Sequence, residues 1–313
     1  MELNSKIFVA GHKGLVGSAI CRKLKDDGYK NIIYQDRYKL DLRDKLLVDN
    51  FFQENKPEYV ILAAAVVGGI HANNSQPVRF LKDNLLIQTN VIDAAHRFSV
   101  KKLVFLGSNC VYPRECPQPM KEEFILTGMF EETNQWYATA KIAGVKLCQA
   151  YKREYGFNAI VLMPASLYGP NDNFDPENSH VLPALINKIH LAKLNNLENI
   201  ELWGTGEPFR EFLFVDDFAD ACLFLMKNYD DESIINVGVG DDINIKSLAN
   251  LIKEIIGYEG KIIFDSTKPD GTPKKLLNVS KLNNLGWKYS TNLKKGIEQT
   301  YNWYLNNLAN EKI

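Results

Sequence analysis

The feature that most constrains this chain is a series of short apolar runs that do not alternate with polar residues. Lys6-Ile7-Phe8-Val9-Ala10, Pro57-Glu58-Tyr59-Val60-Ile61-Leu62-Ala63 and Lys102-Leu103-Val104-Phe105-Leu106 are of this kind. A strand with one wet face shows a period of two, so unbroken apolar character means burial on both faces. Helical periodicity fills the gaps at 15–27 (with Leu15, Val16, Ile20 and Leu24 inward), 46–55, 84–98 and 136–155. Shorter strands are expected at 31–34 and 158–162. Strand and helix alternating in this way predict an α/β fold, a parallel sheet covered by helices on both faces.

Beyond Pro164 the pattern changes, and Gly169-Pro170-Asn171-Asp172-Asn173 marks a loop. Helices are expected at 181–194, 215–227, 245–256 and 293–305. A strand is expected at 200–203, and another at 234–237 could rejoin the first sheet. The chain thus divides into residues 1–166, with returning segments near 212–238 and 274–288, and a smaller discontinuous α/β lobe of 167–211, 239–273 and 289–313. Its 313 residues suffice for two such lobes. A formal net charge of -1 gives no general attraction for nucleic acid or a membrane surface, so an anionic ligand needs a local site. The five cysteines contain no CxxC pair and are odd in number, which argues against disulfide scaffolding and structural zinc. No metal is expected. With no secretory signal and no apolar stretch of about twenty residues, a cytoplasmic protein is expected.

Gly11-His12-Lys13-Gly14-Leu15-Val16-Gly17 places GxxGxxG between a strand and a helix. Gly11 allows the tight turn, Gly14 lets backbone approach a pyrophosphate, and Gly17 lets helix and sheet come close. Free amides at the helix start, from Leu15 and Val16 onward, then face the phosphates of a dinucleotide in a Rossmann-type site. After the second strand the signals conflict. Asp36 could accept hydrogen bonds from a free adenine ribose and favour NAD, whereas Arg37, assisted by Lys13, could pair with a 2'-phosphate and favour NADP. Two cations against one carboxylate tip the expectation to NADP(H). Asp41-Leu42 suits contacts near the adenine. Ala63-Ala64-Ala65 closes the third strand with small side chains, either for the cofactor or for a tight helix contact.

Tyr137 and Lys141 stand four residues apart, on one helix face. An ammonium there favours the phenolate and would make the tyrosine a usable proton donor to a carbonyl under reduction. Ser108 follows the run 102–106 at the carboxyl end of a strand, where its hydroxyl can hydrogen-bond that carbonyl or simply cap the strand. Charge growing on oxygen as hydride arrives would meet Ser108 and Tyr137. Cys110 and His180 are a second pair, able to exchange protons with carbons beside a ketone, or else a packed thiol and a helix cap. Arg210 and Lys188 are candidates for a diphosphate, the alternative for Arg210 being an ion pair with Glu211 or Asp216.

Together these residues resemble the extended short-chain dehydrogenase/reductase superfamily, and more narrowly the GDP-L-fucose synthase family. The likeness runs through Val67-Gly68-Gly69-Ile70, Ala72-Asn73-Asn74, Tyr137-Ala138-Thr139-Ala140-Lys141 and Leu167-Tyr168-Gly169-Pro170-Asn171-Asp172-Asn173-Phe174. It continues in Ser179-His180-Val181, Arg210-Glu211-Phe212 and Lys268-Pro269-Asp270-Gly271-Thr272-Pro273. The resemblance implies reduction by Ser108, Tyr137 and Lys141, and epimerisation at C3 and C5 by Cys110 as base and His180 as acid. It implies cofactor contacts from Pro164 and His180, and GDP-sugar contacts from Asn109, Lys188, Trp203, Arg210, Lys268 and Asp270. It also implies a GDP-linked 4-keto-6-deoxy sugar as substrate and a homodimer through helices near 84–98 and 137–155. The chain departs from the family pattern at Asn109, Trp136, Ala165-Ser166, Phe214 and Asp36. Those departures keep open a related reductase of a GDP-4-keto-6-deoxy-heptose in surface-polysaccharide synthesis.

Overall fold

The computed structural model describes residues 1–175, 179–268 and 270–310. The first half runs β1 (Ile7–Ala10), α1 (Leu15–Asp26), β2 (Ile32–Ile33), α2 (Lys45–Asn55), β3 (Tyr59–Leu62), α3 (Ile70–Ser75), α4 (Asn84–Arg97), β4 (Lys102–Leu106), α5 (Gln135–Tyr155) and β5 (Ala159–Pro164). The second half continues with β6 (Ser166–Tyr168), α6 (Val181–Leu194), β7 (Asn199–Trp203), β8 (Phe209–Arg210), β9 (Phe212–Phe214), α7 (Val215–Asn228) and β10 (Ile235–Val237). It ends with β11 (Ile243–Asn244), α8 (Ile245–Ile256), β12 (Lys261–Asp265), β13 (Lys274–Lys275), α9 (Ser280–Asn284) and α10 (Leu293–Asn310).

The central sheet has the order β10-β5-β4-β3-β1-β2, and every neighbouring pair is parallel. All residues of β1 and β4 are buried, which is what their unalternating sequence requires. The strand order reverses between β1 and β3, so a crevice opens beyond their carboxyl ends, at Gly11 and Ala63. β10 does rejoin this sheet, with Ile235 opposite Leu162 and Val237 opposite Pro164. The strand expected at 31–34 shrinks to Ile32–Ile33 because it is an edge, paired only to β1 and half-buried. Before α4 the backbone makes a π-helical turn, Arg79–Asp83, which the sequence pattern does not announce.

Two buried clusters form. The first surrounds the sheet and takes in Leu213, Phe218 and Cys222 together with Leu277, Leu282 and Trp287. The second joins α6, α8 and α10 around β7 through Leu182, Ile186, Leu202, Ile252 and Ile297. Glu211, itself 1% exposed, ties their border together. Its Oε1 accepts from the Val239 and Gly240 amides at 2.7 and 2.8 Å, and its Oε2 accepts from the Leu277 amide at 2.8 Å.

Candidate active site

Packing alone demands two of the three glycines after β1. Gly11 has φ +88°, and a Cβ there would lie 2.8 Å from Ala64 backbone; one on Gly17 would lie 2.1 Å from the Gly11 carbonyl oxygen. It is the backbone of Ala63 and Ala64, not their side chains, that comes close to this turn. Gly14 is different, because a Cβ there would make only an ordinary 3.6 Å contact. It is the N-cap of α1 and offers no side-chain cap bond, and the first turn carries no acidic residue. Bare amides at Leu15 and Val16 with no side chain over them fit a pyrophosphate.

Farther along the crevice, Lys13 Nζ lies 2.5 Å from Asp36 Oδ1, an ion pair by distance though not aligned as a hydrogen bond. The Tyr38 hydroxyl donates to Asp36 Oδ2 at 2.7 Å. Lys13 first, and Tyr38 next, hold the Asp36 carboxyl below the usual carboxylate range. Both oxygens of Asp36 are thus engaged by protein, while Arg37 stands exposed beside it. Asp41 is gripped by the Arg43 fork, whose bonds pull its pKa to about 2. The neighbouring Leu42 carbonyl accepts from Asn90, 3.0 Å away.

At the other end, β4 and α5 bring the reducing residues together. Ser108 caps the turn Asn109–Val111 by accepting from the Cys110 amide at 3.2 Å. Burial raises the Tyr137 pKa, as does the charge of Cys110, and the influence of Ser108 only partly offsets this. The expectation that Lys141 acidifies the phenol is not met in the chain alone. Lys141 Nζ donates to the Leu106 carbonyl at 2.8 Å and sits over the Phe105 ring, 4.9 Å from its centroid and 5.7 Å from that of Tyr137. Burial lowers Lys141 itself to about 8.

Cys110 is half-buried; its thiol donates to Asn109 Oδ1 at 3.8 Å, and Lys275 Nζ lies 3.7 Å from its sulfur. His180 is the N-cap of α6, but its ring makes no cap bond. That ring is exposed by area yet closely surrounded by protein, as in a cleft, and burial followed by Lys275 lowers its pKa. Arg210 does not pair with Glu211, which is committed to three backbone amides, nor with Asp216, which meets Arg22 at 2.5 Å. Its Nη1 donates to the Phe209 carbonyl, burial lowers its pKa, and the charges of Cys110, Asp270 and Glu131 act on it.

Asp270 accepts from the Thr205 amide and hydroxyl at 2.7 and 2.8 Å, and Lys268 Nζ lies 5.6 Å from the ring centroid of the exposed Trp203. The charge of Asp270 in turn reaches Arg210. Lys188 is exposed on α6, and no contact among the described residues joins it to this group. Pro164 ends β5 beside β10. Pro269 lies outside the described residues.

Residues 7–238 match the model of the NAD dependent epimerase/dehydratase family. The chain belongs to that family. Among its relatives, GDP-L-fucose synthase 1 of Arabidopsis thaliana is 56% identical over 309 residues, covering 99% of this chain and 96% of that one. GDP-L-fucose synthase of Escherichia coli is 47% identical over 311 residues, covering 96% and 97%. The GDP-mannoheptose C4 reductase of Campylobacter jejuni, solved with NADP bound, superposes with a TM-score of 0.91 at 40% identity and covers 97% and 99%.

Two side chains at this family site carried no signal in the sequence. Phe80, on the π-helical turn, stands edge-on to Tyr137 with ring centroids 6.5 Å apart. Lys275 is one of two adjacent lysines, and only the strand pairing decides which of them turns inward.

Proposed function

We propose that this protein converts GDP-4-keto-6-deoxy-D-mannose to GDP-L-fucose, inverting C3 and C5 and then reducing the C4 ketone with NADPH. One contact network that holds both a proton-exchanging pair and a carbonyl-reducing set carries this reading. Lys275 touches Cys110 and its charge reaches His180, while Ser108 and Cys110 both act on the Tyr137 phenol. The ketone acidifies the hydrogens on both neighbouring carbons. Cys110 removes a proton from one face and His180 returns one from the other, so each inversion leaves the proton count unchanged. Bound NADPH supplies hydride to C4. Tyr137 gives its proton to the ketone oxygen, and Ser108 donates a hydrogen bond to the charge forming there. Arg210 meets the diphosphate, with Trp203, Lys268 and Asp270 toward the nucleoside. Gly14 and the bare amides of Leu15 and Val16 carry the cofactor pyrophosphate, in a turn that Gly11 and Gly17 make possible. Arg37 meets the 2'-phosphate, a choice supported by the engagement of both Asp36 oxygens.

A GDP-4-keto-6-deoxy-heptose is the second substrate to consider, favoured by the likeness to the mannoheptose C4 reductase and by Asn109 beside Cys110. Offering each sugar with NADPH in deuterated water separates the two. Deuterium at C3 and C5 of a product formed from the hexose supports the first reading. NADPH oxidised only by the heptose, with no deuterium gained, overturns it.

The lobe division given above is proposed as the working one, supported by Leu213, Leu277 and Trp287 sharing the first core. A homodimer through α4 and α5 in the cytoplasm is proposed with it. Exposed Leu86 and Trp136 on those helices support the dimer, and a monomeric mass by light scattering would refute it.

A further inference from the structure

β13 sets its two lysines on opposite faces, as successive strand residues must be. Lys274 turns to Asp242, 3.0 Å away, and over the Phe209 ring. Lys275 turns inward and brings Nζ to 3.7 Å from Cys110 Sγ. Its place is fixed from two directions. β13 pairs in parallel with β8, putting Lys275 opposite Arg210, and two residues on the Leu277 amide is anchored on buried Glu211.

We infer that Lys275 is the resident counter-ion of the Cys110 thiolate and governs how readily that sulfur takes protons from carbon. The inference rests on the proposed role of Cys110 as base and supplies what that role lacks. An unassisted thiol is only a few per cent ionised at neutral pH, and a cation in contact favours the thiolate. The sulfur has a partner in each state: Asn109 Oδ1 accepts from the thiol, and Lys275 donates to the thiolate. A base used twice in one turnover needs both. Other groups face this centre as well. Arg210 on β8 and the Tyr137 phenol on α5 interact with the charge of Cys110, and Asp270 and Glu131 act on Arg210. His180, at the start of α6, feels Lys275, which discourages a proton on its ring and so makes its imidazolium a readier donor. One fixed charge therefore acts on both members of the pair. Lys275 is a positioning residue that works through Cys110.

Alkylation by iodoacetamide, followed at Cys110 by mass spectrometry across pH, tests this without substrate. The other four cysteines are buried and react slowly. K275M and K275Q should slow alkylation at neutral pH by roughly tenfold, whereas K275R should stay within about threefold. The His180 ring, followed by NMR, should titrate at higher pH in K275M. Unchanged alkylation in both neutral variants overturns the inference. So does a loss in K275R as large as that in K275Q, which would mean that the shape and not the charge of this side chain governs the sulfur. Slowed alkylation in K275M, with no deuterium at C3 or C5 in wild-type product, would uphold the counter-ion and sink the epimerase reading separately.

Discussion

Tyr137 is surrounded by groups that oppose its ionisation, so the phenol stays protonated through the physiological range, the form that can donate to an alkoxide. The nearby ammonium is occupied by the Leu106 carbonyl and does not relieve this in the chain alone. Y137F should therefore lower kcat by roughly 10²–10⁴-fold while NADPH affinity, read by fluorescence quenching, stays within a few-fold. Intact turnover in that variant would remove the phenol from the chemistry. Lys141 gives a pH signature of its own. Burial holds it at about 8, so the ammonium is lost as pH rises past that value, and kcat/KM, which reports the free enzyme, should fall there. K141R should retain reduced activity and show no falling limb near that pH. The four-residue spacing made Tyr137 and Lys141 legible as a pair. The partner of Lys141 was not legible, because a backbone carbonyl has no letter in the sequence.

The π-helical turn Arg79–Asp83 shows how one element serves two ends of the crevice. Its Asp83 accepts from Arg43 at 2.9 Å, and Arg43 also grips Asp41 in the loop after β2. Its Phe80 is 2% exposed and packs edge-on to Tyr137. Asn84 locks the turn by donating to the Phe80 and Val66 carbonyls at 2.7 and 2.9 Å. F80L keeps an apolar group of similar bulk but removes the ring edge. It should lower kcat by about tenfold, leave the KM for NADPH nearly unchanged and cost under about 1.5 kcal/mol in a thermal melt. A rise in KM alone would mean that the turn serves the cofactor and not the tyrosine. α6 and α8 run as their apolar spacing predicts, from Val181 to Leu194 and from Ile245 to Ile256. The π turn has the composition of an ordinary helix start, so no pattern separates the two. β8, β11 and β13 are two residues each and exist through partners far away in the chain, which local propensity does not register.

Across the whole molecule, Glu211 links the strand carrying Arg210, the segment after β10 and the strand carrying Lys275, so stability and site geometry meet at one buried carboxyl. Burial outweighs the three amide bonds and raises its pKa to about 7. A carboxyl held above its unfolded value of about 4.3 binds its proton more tightly in the folded chain. Its contribution is therefore complete below about pH 4 and lost as pH rises through about 7. Asp172 is also raised to about 7 by burial, so the wild-type pH dependence cannot be assigned to either group without a comparison. E211Q provides one: it keeps a neutral side chain of the same shape and leaves Asp172 in place. With one amide unmatched, E211Q should be less stable than wild type at pH 5 by roughly 1–3 kcal/mol. Between pH 5 and pH 8 that gap should shrink by about 2–3 kcal/mol, because only the wild type gives up a proton. Urea titrations of both proteins at the two pH values measure it. A gap that stays constant would mean that Glu211 does not change protonation in this range, and three short amide bonds would then have outweighed its burial.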